Sequence, residues 1–273
     1  MQHSSNTVSV IGADGMLGRA VVRALEENAK DFNVHEISAG QDIFDYVIAP
    51  YVINCAGIVR EREHDSGSYS MVKSNALLPH YVANIPTIKR LITVSTDCVF
   101  NGLSGPYVEG SQPTPTDLYS RTKLAGEVLD NEKVLTVRTS FIGFGQRGLL
   151  RWLLTKPENS IVPGYVDDMW NGLYVGNVAK ALVYLCLRKR LHGLLHFVGN
   201  PMSKYELLQL LIGRLRQDMV ISFITPPAQN HILASSRLDE FDFGQLFETS
   251  MRQLYKDYAE WGKDYLCSLE TSC

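Results

Sequence analysis

The residues whose types and spacing could carry out chemistry fall in three places. Tyr119 and Lys123 stand four apart in Tyr119-Ser-Arg-Thr-Lys123, which puts both on one face of a helix. An unperturbed phenol has a pKa of about 10, and a neighbouring ammonium favours its ionised form, so the pair suits proton exchange with a carbonyl oxygen near neutrality. Ser95-Thr96-Asp97 closes the apolar run Leu91–Val94. A hydroxyl at that strand end could stabilise charge on the same oxygen, and since neighbouring strand residues face opposite ways, only one of Ser95 and Thr96 can point into a cleft. Gly12, Gly15 and Gly18 follow a strand-like run and open a helix-like one. There Gly12 can make a tight turn, Gly15 can let backbone N–H groups approach a pyrophosphate, and Gly18 can let helix and sheet pack closely. A surface Tyr/Lys pair or a joining turn would explain each motif singly. Together, in this order, they are what a nicotinamide-dependent carbonyl reductase requires.

Elements that could position these residues are visible in the hydrophobic pattern. Strands are expected at Val8–Ile11, Asn33–Ile37, Tyr51–Cys55, Leu91–Ser95 and Val134–Arg138, with helices near Leu17–Glu27, Ser70–Ala83 and Leu118–Asn131. Such alternation implies crossovers and a Rossmann-type doubly wound parallel sheet, an α/β fold. Between Asp42 and Tyr51 there is too little chain for a full crossover helix, so one is expected to be clipped to a turn. The second half is less regular: helices at Leu149–Leu154, Asn177–Arg188, from Ser203 through Arg216, and near Ser250–Trp261; a strand at Leu195–Val198; and a loop from Pro157 to Gly172. Ser203 and Glu206 form a capping box that fixes one helix start. The expected division is a cofactor domain of residues 1–142 and 173–196 beside a smaller, discontinuous lobe of residues 143–172 and 197–273, placed at the carboxyl ends of the strands where doubly wound sheets bind ligands.

Composition excludes several classes. The chain has 273 residues, 45% apolar and 20% charged, with a net charge of -3 and no sustained basic stretch, so it carries no electrostatic footprint for nucleic acid. Five cysteines without a CxxC pair argue against a disulfide framework or zinc site and for reduced thiols. The N-terminus lacks a secretory pattern and no apolar run approaches the ~18 residues of a membrane span. The expectation is a soluble, cytoplasmic protein without a metal.

Further motifs join the first three into one signature. Val94-Ser-Thr-Asp-Cys-Val-Phe-Asn-Gly102, Pro106-Tyr-Val-Glu109, Pro113-x-Pro115 and Tyr119 to Glu127, with Asn54-Cys-Ala-Gly57, Arg138-Thr-Ser140, Tyr174-Val175 and His196 to Gly199, resemble the extended short-chain dehydrogenase/reductase superfamily. The resemblance tightens toward its sugar-nucleotide branch, the dTDP-4-dehydrorhamnose reductase and NAD-dependent epimerase family. The glycine spacing GxxGxxG agrees, and the similarity covers most of residues 7–215.

That resemblance implies Thr96, Tyr119 and Lys123 as catalytic residues, with Thr96 preferred over Ser95. It implies a cofactor site of Gly12, Asp14, Gly15, Met16, Leu17, Gly18, Ser38, Asp42, Ile43, Cys55, Ala56, Gly57 and Asn75, where Lys123 also holds the nicotinamide ribose. For Asn75 a structural hydrogen bond is an equal reading. The cofactor is NADP(H) or NAD(H): position 38 holds serine rather than the acid that favours NAD, and Ser38 with Arg19 leans to NADP. For a nucleotide-sugar substrate the candidates are Arg60, Asp97, Cys98, Phe141, Trp170 and Asn171, with Arg62 nearby; a solvated loop at Arg60–Glu63 is an equal reading, and packing alone is the other reading of Trp170. Cys98 departs from the tyrosine usual in related reductases. The implied reaction is reduction of a nucleotide-linked 4-keto-6-deoxysugar; epimerisation, or a non-catalytic cofactor-binding regulatory subunit, uses the same motifs. A homodimer is compatible with the resemblance.

Overall fold

In the computed structural model, residues 6–38, 48–60, 63–187, 191–225, 227–237 and 246–270 are described. Strands β1 (Thr7–Ile11), β2 (Asn33–Ile37), β3 (Tyr51–Asn54), β4 (Arg90–Thr96), β5 (Val134–Thr139) and β10 (Gly193–His196) form one six-stranded sheet in the order β10-β5-β4-β3-β1-β2. Every pairing in it is parallel. The strands alternate between two cores. Val8, Val10, Ile53, Ile92 and Val137 pack with Leu17 and Val21 of α1 (Met16–Asn28) and Val178 and Leu182 of α6 (Val175–Leu187). Ile11, Val52, Leu91 and Val134 face the other way, onto Leu78 and Val82 of α3 (Leu78–Ala83). Continuous apolar strands are required because both faces are covered.

The strand order reverses beside β1: β2 lies on one side of it and β3 on the other. A doubly wound sheet opens a ligand crevice at such a point. The turns after β1 and β3 meet there, since a Cβ on Gly12 would fall 2.8 Å from Ala56 Cα. The chain from β2 to β3, including the expected clipped crossover and the candidates Asp42 and Ile43, passes through residues 39–47, outside the described residues.

Several boundaries differ from expectation for identifiable reasons. The helix expected at Ser70–Ala83 is a composite of α2 (Glu63–Met71), a π-helical turn at Val72–Leu77 and α3. The helix expected from Leu118 to Asn131 stops as α4 (Leu118–Ala125). Gly126 lies against the π turn, where a Cβ would meet the Asn75 carbonyl at 2.0 Å. The strand expected at Leu195–Val198 is β10, shifted toward Gly193.

The expected loop from Pro157 to Gly172 holds two strands. β7 (Ile161–Tyr165) pairs in parallel with β12 (Val220–Ile224), and β8 (Asp168–Trp170) lies between β11 (Met202–Ser203) and β13 (Gln229–Asn230). These strands are too short, and β7 too interrupted by Pro163 and Gly164, to show alternation; their partners come from ~50 residues later in the chain. A two-stranded sheet of β6 (Phe141–Ile142) and β9 (Leu173–Tyr174), and the helices α5 (Leu149–Leu154), α7 (Lys204–Leu215) and α8 (Leu246–Glu270), complete the second half. The capping box at α7 is present: Glu206 N donates to Ser203 Oγ at 3.1 Å and Ser203 N to Glu206 Oε2 at 2.7 Å.

Candidate active site

Each glycine of the first turn has its own geometric role. Gly12 adopts φ +75°, a left-handed conformation that favours glycine, and accepts an N–H from Gly15 at 3.0 Å. A Cβ at Gly18 would stand 1.9 Å from the Gly12 carbonyl oxygen, so helix α1 can approach the turn only without a side chain there. Gly15 is the N-cap of α1 and is exposed. The N-terminal amides of a 13-residue helix, with no acidic side chain in the first turn, are thus presented toward an anion. Asp14 is exposed, Leu17 is buried in the core, and Met16 packs against the segment Gly143–Gly148. Arg19 donates to the Asp14 carbonyl.

Helix α4 is fixed at its start by a reciprocal cap. Asp117 Oδ1 accepts from Ser120 N at 2.8 Å, and Ser120 Oγ accepts from Asp117 N at 3.2 Å. Arg60, from the segment after β3, pairs with the Asp117 carboxylate and remains mostly exposed. Tyr119, half-buried, and buried Lys123 follow on this helix. The Lys123 ammonium donates to the Val94 carbonyl at 2.6 Å. Burial brings Lys123 down to about 8, against the opposing influence of Glu127 and Cys55. It therefore stays largely charged at neutral pH, with two of its three N–H donors beyond the Val94 bond.

The segment after β3 reaches this ammonium. A Cβ on Gly57 would lie 3.8 Å from Lys123 Nζ and 3.5 Å from Asn75 Oδ1. Asn75 sits in the π turn and uses its amide on three partners: Oδ1 accepts from Ile58 N at 2.8 Å, while Nδ2 donates to Ile58 O at 2.9 Å and Thr122 Oγ1 at 3.1 Å. It clamps the cofactor-side loop to α4, the structural half of its two readings. Cys55 and Ala56 are half-buried between these turns, and burial pushes the Cys55 thiol up to about 12.

At the end of β4 the two hydroxyls separate. Ser95 Oγ donates to Glu127 Oε1 at 2.6 Å and is fully engaged in the interior. Thr96 Oγ1 accepts from Cys98 N at 3.1 Å and donates to Asp97 Oδ1 at 3.0 Å, capping the short 3₁₀ turn Asp97–Val99. Thr96 must turn its proton from Asp97 to serve a substrate oxygen. Burial, then Asp97, pushes the half-buried Cys98 thiol up to about 12, so it is neutral.

Two substrate candidates have their polar groups engaged within the protein. Trp170 is 8% exposed, lies over Gly172 and donates Nε1–H to Ser140 Oγ at 2.8 Å, so it packs rather than presenting a flat face. Asn171 spends its amide on the backbone: Oδ1 accepts from Leu233 N at 3.1 Å and Nδ2 donates to Leu233 O at 2.7 Å. Both fix the wall's shape. Phe141 is half-buried on β6, Ser38 is half-buried after β2, and Arg62 lies outside the described residues.

A buried polar chain behind α4 joins residues that the sequence offers only as separate parts of the family signature. Arg138 forks onto Glu127 with two bonds of 2.7 Å, both side chains 2% exposed. Arg138 Nη1 stands 3.3 Å from His196 Nε2, and His196 Nδ1 lies 2.9 Å from the Ala234 carbonyl. With Nδ1 carrying the proton toward that carbonyl, Nε2 accepts from Arg138; burial lowers the His196 pKa, consistent with a neutral ring. Glu109 binds the same region through His196 N at 3.0 Å, Ser235 Oγ at 2.5 Å and Ser236 N at 2.9 Å. Burial opposes its ionisation, but these donors bring Glu109 down to about 2. The spacing Tyr119, Lys123, Glu127, each four apart, was the available signal.

The chain is similar in sequence and fold to known proteins. Methionine adenosyltransferase 2 subunit beta of Xenopus tropicalis is 30% identical over 278 residues, covering 86% of this chain and 82% of that protein. The dTDP-4-keto-6-deoxy-D-glucose reductase of Streptomyces niveus is 30% identical over 228 residues, covering 77% and 78%. Among solved structures, dTDP-4-dehydrorhamnose reductase from Bacillus anthracis in complex with NADP superposes with a TM-score of 0.76 at 19% identity, covering 94% of this chain and 100% of that one. Matched from residue 6 to residue 260, with the parallel sheet and glycine turn its fold requires, the chain belongs to the RmlD substrate-binding-domain family of extended short-chain dehydrogenases/reductases.

Proposed function

We propose that the protein is an NAD(P)H-dependent reductase of a nucleotide-linked 4-keto-6-deoxysugar. The observation that carries this reading is the placing of the Lys123 ammonium, on the Tyr119 helix, beside the segment Cys55–Gly57 that faces the glycine turn. The site fits a dinucleotide: Gly12 and Gly18 leave a cradle that a Cβ would fill, the α1 amides suit a pyrophosphate, and the uncommitted Lys123 donors suit ribose hydroxyls. A bound nicotinamide supplies the hydride for the carbonyl carbon. Tyr119 gives its phenolic proton to the carbonyl oxygen, Lys123 favours the phenolate left behind, and Thr96 turns from Asp97 to hydrogen-bond that oxygen. Residues 1–142 and 173–196 hold the cofactor in this reading, and residues 143–172 and 197–273 wall the sugar. Arg60, although paired with Asp117, keeps exposed donors for a diphosphate. Ser38 and Arg19 lean to NADPH.

Incubating the protein with a panel of such sugars, while following NADPH absorbance and product mass, tests the reading. NADPH oxidation with a product two mass units above the keto sugar is expected. Cofactor binding without reduction of any sugar would replace it with the second reading, a non-catalytic cofactor-binding subunit. That reading is favoured by the match, over 86% of this chain, to a methionine adenosyltransferase subunit.

A further inference from the structure

A cavity of about 520 Å³ runs along the flank of α1, closed by the start of α6 and by α8. That size lies within the ~300–1,000 Å³ of small-molecule sites. Its wall extends down α1 from Met16 to Glu27, shares Met16 and Arg19 with the cofactor candidates, and includes none of Gly12, Ser38, Thr96, Tyr119 and Lys123. It therefore abuts the proposed cofactor crevice at one end and runs away from it along α1.

The wall joins aromatic rings to an unbalanced set of charges. Phe144 gathers Trp261, Tyr265 and Tyr174 at centroid distances of 4.9, 5.3 and 6.3 Å, and all four line the cavity. Both acids of the wall already have donors. Glu27 accepts from Arg23 at 2.8 Å, and Asp257, 5% exposed, accepts from Tyr174 Oη at 2.6 Å and Gln253 Nε2 at 2.7 Å. The wall's three cations, Arg19, Arg23 and Lys180, exceed its two carboxylates by one. Arg19 donates to a backbone carbonyl at the cofactor end, and exposed Lys180 is in no ion pair among the described residues. In addition, the Nε1–H of Trp261 is buried with no acceptor, a group that is costly to leave unpaired.

Surplus positive charge, an unsatisfied donor and a ring-lined wall call for one chemistry. We propose that this cavity binds an aromatic organic anion, its ring against Trp261 and Tyr265 and its acid group toward Lys180. The proposal does not depend on the reductase reading, because Lys180, Trp261 and Tyr265 belong to neither the cofactor candidates nor the sugar candidates.

The test uses the full-length protein and 8-anilinonaphthalene-1-sulfonate as probe. One saturable site per chain is expected, retained under saturating NADPH, and about tenfold weaker in Lys180→Ala, the scale of one charge-assisted hydrogen bond. The neutral analogue N-phenyl-1-naphthylamine should bind at least about tenfold more weakly for the same reason. Ala20→Phe, filling the wall from α1, should abolish binding while NADPH affinity and melting temperature hold. If that variant does not fold, Lys180→Ala and the neutral analogue decide. Absence of a saturable site, displacement of the probe by NADPH, or equal binding of the neutral analogue would each overturn the proposal. So would probe binding that Lys180→Ala leaves unchanged.

Discussion

At the scale of single residues, the proposed chemistry rests on a division of labour along one helix face. In the proposed reaction Tyr119 is the proton donor and Lys123 both its electrostatic neighbour and the ribose ligand, so the two positions should separate kinetically. Tyr119→Phe is expected to keep cofactor affinity, read by fluorescence titration, and to lose about 10²–10⁴-fold in turnover, the usual worth of general acid catalysis. Lys123→Ala should damage both. The buried ammonium also sets a pH limit. Because burial lowers Lys123 to about 8, the group is charged below that pH and neutral above it. NADPH affinity of the free protein should therefore fall as pH rises through about 8, and calorimetric titrations at pH 6.5 to 9.5 would show it. The sign for stability is the opposite. An unfolded lysine titrates near 10.4, so the unfolded chain binds more protons between the two values and this residue's contribution to stability rises with pH across that window. Cys98, neutral and a substrate candidate, is free of this titration: Cys98→Tyr should change apparent substrate affinity more than turnover.

At the scale of elements, the helix that carries Tyr119 and Lys123 is short and depends on its ends. The eight residues of α4 start at the Asp117 cap and stop where Gly126 meets the π turn. An isolated helix of this length is not stable in water, so its register is imposed by the cap, the Val94 bond and the Asn75 clamp. Asp117→Ala removes the cap and the partner of Arg60 together. A loss of about 1 kcal/mol in denaturant unfolding is expected from the cap alone. Activity should fall further than the stability loss explains, because Tyr119 lies two residues from the cap. Asp117→Asn, which can still cap, should recover most of the stability and little of the Arg60 contact. This region also shows the limit of sequence reading for elements. Tyr119 and Lys123 were legible from their spacing, but the helix end was not, since Gly126 terminates it through contact with a residue 51 positions earlier.

At the scale of the whole molecule, the Glu127–Arg138 pair connects the segment just after α4 to β5, and His196 and Glu109 extend the connection to the segment Ala234–Ser236. Phe100, stacked on Tyr107 at 4.0 Å, covers the Arg138 guanidinium at 5.1 Å. A fully buried ion pair is not in itself a large source of stability, but removing one partner strands a charge and costs about 3–5 kcal/mol. Glu127→Gln should therefore destabilise by that order in urea melts. Glu127→Leu with Arg138→Met should recover much of the loss, because the two charges leave together. A double variant as unstable as the single one would show that the remaining partners, Ser95 and His196, depend on the charges themselves.

What the sequence determined by itself was whatever follows from local pattern. The glycine turn, the first five parallel strands and the Tyr119/Lys123 spacing were readable because a φ of +75° at Gly12, a two-faced buried sheet and an i,i+4 pair each impose residue types on adjacent positions. The family was readable for the same reason, its signature lying in one stretch from Val94 to Glu127. Only the tertiary structure decided which polar residues face the crevice and which support it. Trp170, Asn171 and Ser95 carry the chemistry of ligand-binding side chains, yet each meets a partner far along the chain: Ser140, Leu233 and Glu127. The strands β7 and β8 were hidden likewise, because their pairing partners are distant and their own runs too short to alternate. A buried polar group must be satisfied, and its satisfying partner is set by packing, which no local window of sequence contains.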